Sequence, residues 1–235
     1  MAVPPDPGVG KGGHRHPRSR SNGPMTSRGH HIWSVVHDER RALVADLRRL
    51  HPEQWHTPSL CTQWDIHDVL AHLVDGAKTT RRGFIRRMLV ARFDFDKETA
   101  AGVERERRAD PQDTLAAFEA VLPSTNTPPA PLPTRLVEIF LHGEDIRRPL
   151  GLTSHYPVAQ VIDALAYQLR TSTGMGGGKE SAAGWRLITT DAEFAHGSGP
   201  EIHGTALTLL LAVSGRPVGR ADLTGPGAED FASQR

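Results

Sequence analysis

The chain has 235 residues, 37% of them hydrophobic, a formal net charge of +1 and a single cysteine. So small a net charge gives no global field for nucleic acid or an anionic membrane, and one cysteine excludes an intrachain disulfide. The most apolar run, Ala206 to Val213, is far short of a membrane span, so a soluble, cytoplasmic protein is expected.

Residues 1–29 are Pro, Gly, Ser, Arg and His with almost no apolar content. They cannot bury enough surface to offset chain entropy, which predicts a disordered N-terminal extension. His14, Arg15, His16, Arg18 and Arg20 make it basic, either as a solvated tail or as a contact for nucleic acid or metal. The stripe Val35, Val36, Leu43, Leu47, Leu50 then predicts a helix over about 32–50, with Pro52 marking its end. A loop with Trp55 and Trp64 follows. Asp65 caps a second helix, and Asp68 three residues on resembles a capping box with Asp in place of Glu. Ile66, Val69, Leu70 and Leu73 are its apolar stripe. His72 sits at the stripe's edge, either as a satisfied half-buried histidine or as a metal ligand whose second ring nitrogen could use Asp68.

The helix continues or restarts over 80–93, with Arg81, Arg82, Arg86, Arg87 and Arg92 forming either a solvated face or a lure for an anionic substrate. Glu104 to Arg108 reads as a mixed-charge connector. Asp110 and Pro111 open a third helix with Leu115, Phe118, Val121 and Leu122 inward, and Pro123 to Pro133 is a Pro-rich loop. The next helix carries Glu138 and His142, four residues apart and therefore stacked on one face. Such a pair is either a solvated couple or two of the three protein ligands of an open zinc site. A further helix spans about 157–169. These helices suggest a bundle, and ligands from facing helices commonly meet in a bundle core. The run 171–178 is a flexible linker by composition, with no phosphate-loop pattern. Beyond it, Trp185 to Thr190 alternates as a strand, a short strand surrounds 200–203, 204–214 is an apolar helix, and 221–223 is either a last strand or a frayed end. The expected organisation is an extension at 1–29, a bundle at 30–170, a Gly-rich linker at 171–180 and a small α/β domain at 181–235.

Two motifs, Cys61-x-x-Trp64-x-Ile66-x-Asp68-Val-Leu-Ala-His72-Leu and Glu138-x-x-x-His142-Gly-x-Asp145-Ile, closely resemble the DinB-like, mycothiol-dependent maleylpyruvate isomerase family. Ile202-x-Gly204-x-Ala206 and Ser214-Gly-Arg216 are similar to that family's C-terminal domain. The resemblance runs over roughly 32–225 and implies a DinB-like four-helix bundle followed by a small α/β domain. It implies zinc or another divalent metal on His72, Glu138 and His142, and an arginine facing the pocket, best matched by Arg216. It also implies mycothiol, the low-molecular-weight thiol of actinobacteria, as cosubstrate. Gln63 departs from the family's usual Gly, and His67 from its usual Arg-type residue.

A thiol coordinated to a divalent cation loses its proton at neutral pH. Cys61 reads as a loop-packing residue, so the nucleophile is expected from outside. Attack on a conjugated double bond followed by expulsion of the thiol isomerises the substrate, whereas loss of another group gives S-transfer. Asp145 shares the face of Glu138 and His142 and either orients a ligand or simply meets water. Arg216 either pairs with a substrate carboxylate or is a helix C-terminal cation. The expected partners are mycothiol and a small electrophile, without nucleic acid or membrane, in a monomer or homodimer. The competing readings are a metal-dependent hydrolase on the same bundle and a non-catalytic binding or regulatory protein.

Overall fold

The structure is a computed structural model that describes residues 27–233; most of the expected N-terminal extension lies outside the described residues. Helix α1, Ser27–Leu47, begins earlier than expected and ends at Leu47. Val36, Leu43 and Leu47 are fully buried along its inner face. Helix α2 is Ile66–Lys78. Its start is the anticipated capping box: Asp65 Oδ1 accepts from the Asp68 amide at 2.8 Å, and Asp68 Oδ2 accepts from the Asp65 amide at 3.1 Å. Asp68 is therefore committed to the cap and to Arg107, and does not serve His72.

Thr79 leaves the helical conformation, and α3, Arg81–Val90, restarts under the Thr80 cap. Met88 is the one buried residue of α3, so this helix adds little to the core. A helix, α4 at Phe95–Glu106, stands where the chain reads as a mixed-charge connector. Asp94 caps it, and its buried side carries Glu98 and Val103 rather than an apolar stripe. Helices α5, Pro111–Ala120, α6, Pro133–Arg147, and α7, Val158–Gln168, fall where the periodicity predicts.

The bundle core is formed by α1, α2, α5 and α6, with Leu70, Phe118, Leu136 and Phe140 fully buried at its centre. Burial of each such side chain contributes about 1.5–3 kcal/mol. Arg147, 1% exposed, ties α6 to α1 through Asp46 at 2.7 Å, and reaches the Tyr156 hydroxyl at 2.8 Å.

Strands β1 (Arg186–Thr189), β2 (Ala195–Gly197) and β3 (Glu201–Gly204) form a sheet in the order β2-β1-β3. The β1–β2 pair is antiparallel and the β1–β3 pair parallel, so Leu187 sits between His196 and Ile202. Helix α8, Ala206–Val213, is apolar all round. An all-apolar helix must be covered on every side, and α8 packs against α7, β1 and β3. In place of a strand at 221–223 there is a 3₁₀ turn, Arg220–Asp222, followed by an isolated bridge from Thr224 to His203 and by α9, Ala228–Ser233. The glycines of 171–178 are held close rather than loose: a Cβ on Gly177 would lie 1.9 Å from the Thr171 carbonyl oxygen, and one on Gly178 2.6 Å from that of Val213. No described helix is long and apolar enough to cross a membrane.

His67, 1% exposed, packs its ring between α2 and α5. Its Nε2–H donates to Thr114 Oγ1 at 2.7 Å and its Nδ1 accepts from Arg107. Burial, reinforced by Arg107, pushes its pKa down to about 4. The unfolded chain, with an ordinary histidine pKa near 6.5, therefore takes up the proton first as pH falls. Unfolding free energy should drop between about pH 6.5 and pH 4, with up to about 3 kcal/mol due to this residue. Chemical denaturation across that range should show the slope, and His67→Gln should flatten part of it. An unchanged slope in the variant would assign the effect elsewhere.

Candidate active site

The loop before α2, together with α2, α3, α4, α6 and the segment after α8, encloses a cavity of about 620 Å³. His72, Glu138, His142 and Arg216 all line it. Each arrives by a local rule. His72 lies nearly two turns past the Asp65 cap of α2. Glu138 and His142 share one face of α6 at i and i+4. Arg216 follows Gly215, whose φ of +77° makes the turn out of α8.

The His72 and His142 rings meet edge to face at 4.8 Å, and Trp64 covers the other side of His72 at 5.2 Å. Trp64 is set by the turn Cys61–Trp64, closed by the Trp64 amide on the Cys61 carbonyl at 3.1 Å. Gln63 takes a φ of +71° in this turn, a conformation that glycine adopts without strain. No described residue makes a hydrogen bond to the His72 ring, and burial, followed by the nearby His142, pushes its pKa down to about 4. His72 is thus a neutral imidazole with a lone pair and no hydrogen-bond partner among the described residues.

His142 Nδ1 donates to Asp145 Oδ2 at 2.9 Å, which leaves its Nε2 as the acceptor. Glu138 crosses to α2 over Gly76: a Cβ at Gly76 would come within 2.5 Å of Glu138 Oε1. Its two oxygens accept from Arg135 Nη1 at 3.1 and 3.0 Å.

Asp145 is fully buried. Burial alone would raise its pKa, but donors on His142 and Arg216 outweigh it and hold the carboxyl well below the usual range. Arg216 Nε donates to Oδ1 at 3.1 Å and Nη2 to Oδ2 at 2.9 Å. Its Nη1 donates to the Ser214 carbonyl at 3.0 Å. The flat edge that would grip a carboxylate bidentately is already occupied.

Cys61 lies in the site rather than merely packing the loop. Its Sγ donates to Asp145 Oδ2 at 3.0 Å and is 3.8 Å from His142 Nδ1. Burial and the Asp145 charge push the thiol up to about 12, so it stays protonated. The sequence also leaves unannounced Arg135 and an ion cluster on the far wall, where Arg87 and Arg105 meet Asp75 and Glu98 at 3.0–3.4 Å. The Arg135-x-x-Glu138 spacing was an available signal for the first; the cluster joins three helices and has none.

Among the described residues, Cys61, His142 and Asp145 form a group whose ligand atoms lie within 4.8 Å of one another. Their donors and acceptors already satisfy each other and Arg216. His72, Glu138 and His142 line the same cavity without bringing their ligand atoms within that distance of one another, and the gap at Gly76 admits the Glu138 carboxylate.

Residues 36–130 match the sequence model of the family described as mycothiol maleylpyruvate isomerase N-terminal domain. Two solved structures share the fold. One is a mycothiol-dependent maleylpyruvate isomerase, 14% identical, with a TM-score of 0.59. The other is a histidine-to-alanine mutant described by the same name, 12% identical, with a TM-score of 0.60. In both, the match covers 85% of this chain and 93% of the other. No curated protein matches the chain.

The Gly76 cradle yields a direct test. In Gly76→Ala the new methyl group displaces the flexible end of Glu138 and leaves the helix intact, so the unfolding free energy should stay within about 1 kcal/mol of wild type. Zinc affinity, read by competition with a chromogenic chelator, should fall by roughly 10- to 100-fold. Unchanged affinity would remove Glu138 from the ligand set.

Proposed function

We propose that this member of the mycothiol maleylpyruvate isomerase family is an enzyme that uses a divalent metal and mycothiol to isomerise or S-conjugate a small electrophile. The observation that supports this reading is that His72, Glu138 and His142 line one cavity, with the His72 ring and His142 Nε2 free of hydrogen bonds to described residues and the Glu138 carboxylate paired with Arg135. In it, residues 30–170 act as the metal-binding bundle, 171–180 as the connection, and 181–235 as the small domain that brings Arg216. A cytoplasmic monomer or homodimer accords with it.

His72, Glu138 and His142 would hold zinc or a similar divalent ion. The chemistry such an ion supplies, when bound, is deprotonation of a thiol at neutral pH. Asp145 keeps the proton of His142 on Nδ1, which presents Nε2 to the cavity. Trp64 covers His72 and keeps water from that side. Cys61, held protonated, does not compete as nucleophile. Arg216 retains one Nη1 hydrogen beyond its contacts with Asp145 and Ser214, enough to donate to a single substrate oxygen as negative charge develops there.

Elemental analysis of the purified chain should find about one equivalent of a divalent metal in wild type and little in His72→Ala or Glu138→Ala. Arg216→Gln should keep the metal and lose about 100-fold in thiol-dependent turnover. Turnover that needs no thiol would favour the hydrolase. Wild type that takes up no metal even after incubation with zinc would end the reading.

A further inference from the structure

The arginines that line the cavity are already paired. Arg87 is held by Asp75 and Glu98, each at 3.0 Å, Arg135 by Glu138 at 3.0 Å, and Arg216 by Asp145 at 2.9 Å. Asp96 also lines the wall and has no partner among the described residues, so the lining holds four carboxylates against three guanidiniums. A carboxylate that takes a cation through one oxygen keeps the other for Arg135, so loading the site need not release that guanidinium. A dianionic substrate would find each of these arginines already held in an ion pair, so that a bidentate grip on a carboxylate would mean breaking one.

The rest of the wall mixes threonines (Thr62, Thr79, Thr99, Thr134) with a run of apolar and aromatic side chains. Phe84 and Phe95 pack at 5.9 Å on the α3–α4 side, and Leu60, Trp64 and Val137 continue the surface. The volume suits a thiol cosubstrate together with a second molecule of moderate size.

We propose that the electrophile this cavity accepts is uncharged and has an apolar or aromatic body, and is not a dicarboxylate. This rests on the thiol-dependent reading above. In the addition step the sulfur–carbon bond forms as the carbon–carbon π bond breaks. The electron pair passes to the adjacent carbonyl as an enolate, and a proton equal to the one the thiol gave up then returns to carbon.

A matched pair of probes isolates charge from reactivity. Diethyl maleate and maleate carry the same double bond. The zinc-loaded full chain is assayed with mycothiol, and kcat/KM is divided by the uncatalysed rate constant for the same thiol. The neutral diester should exceed the dianion by at least about 10-fold. Phe84→Ala and Phe95→Ala should each raise KM for the diester by roughly 10-fold while zinc content stays at wild-type level. A preference for maleate overturns the proposal and leaves thiol-dependent catalysis standing.

If neither probe turns over, calorimetric titration without thiol reads the pocket alone, using diethyl succinate and succinate, which have no reactive double bond. Tighter binding of the diester supports the proposal even then, and the failure belongs to the catalytic reading. Tighter binding of succinate, or no binding of either at millimolar concentration, overturns it. Glu98→Gln, which loosens the hold on Arg87, should shift the preference toward succinate.

Discussion

The structure depends on one buried carboxylate. Asp145 is fully buried and accepts from His142, from Arg216 and from Cys61. Those donors belong to α6, to the segment after α8 and to the loop before α2. An ionised group taken out of water costs several kcal/mol unless it is paired and hydrogen-bonded, and here the contacts with Cys61 and Arg216 that lower the cost also join separate parts of the chain. The same loop is fastened a second time, by the Leu60 amide on the Asp145 carbonyl at 3.2 Å. Cys61, Trp64 and thus the cover over His72 follow from that anchor.

The cavity has two unlike halves. On the bundle side, helical spacing does the positioning: His72 and Gly76 are one turn apart on α2, so the residue that offers a lone pair and the gap that admits Glu138 share a face. On the α3–α4 side there is no such regularity. Asp75 and Glu98, 10% and 9% exposed, are held by Arg87 and Arg105, and Gly102 lets α4 come within 2.8 Å of Asp75 Oδ2 as measured from a Cβ placed there. Charge pairing replaces apolar burial as the glue of this wall, and this is why its arginines are not free to serve a ligand.

That contrast explains what could be read from the chain. Where burial follows a 3.6-residue period, as in α2, α5, α6 and α7, the elements were visible, and so was the Asp65–Asp68 cap, a contact between near neighbours in sequence. His72, Glu138, His142 and Arg216 line one cavity. Helix α4 was not visible, because Glu98 and Gly102 occupy the buried face where an apolar stripe would have signalled it. Cys61 was assigned to loop packing because its partners, Asp145 and Arg216, lie 84 and 155 residues away. Asp68 had two local uses open to it, and only the structure shows that the cap and Arg107 took it. Gly177 and Gly178 looked like freedom in composition, yet they are there because another backbone comes too close for any side chain.

The distance between Asp145 and Arg216 along the chain also orders events in time. They are separated by 71 residues. A ribosome adding about 5–20 residues per second takes roughly 4–14 seconds to cover that gap. Throughout it α2 and α6 can already meet, with His72, Glu138 and His142 all synthesised, while Asp145 lacks its guanidinium. Until then the carboxylate that anchors the cavity has only the donors of Cys61 and His142 to offset its charge. The wall around it becomes fixed only when the segment after α8 docks, so a part made later than the ligating helices closes the site.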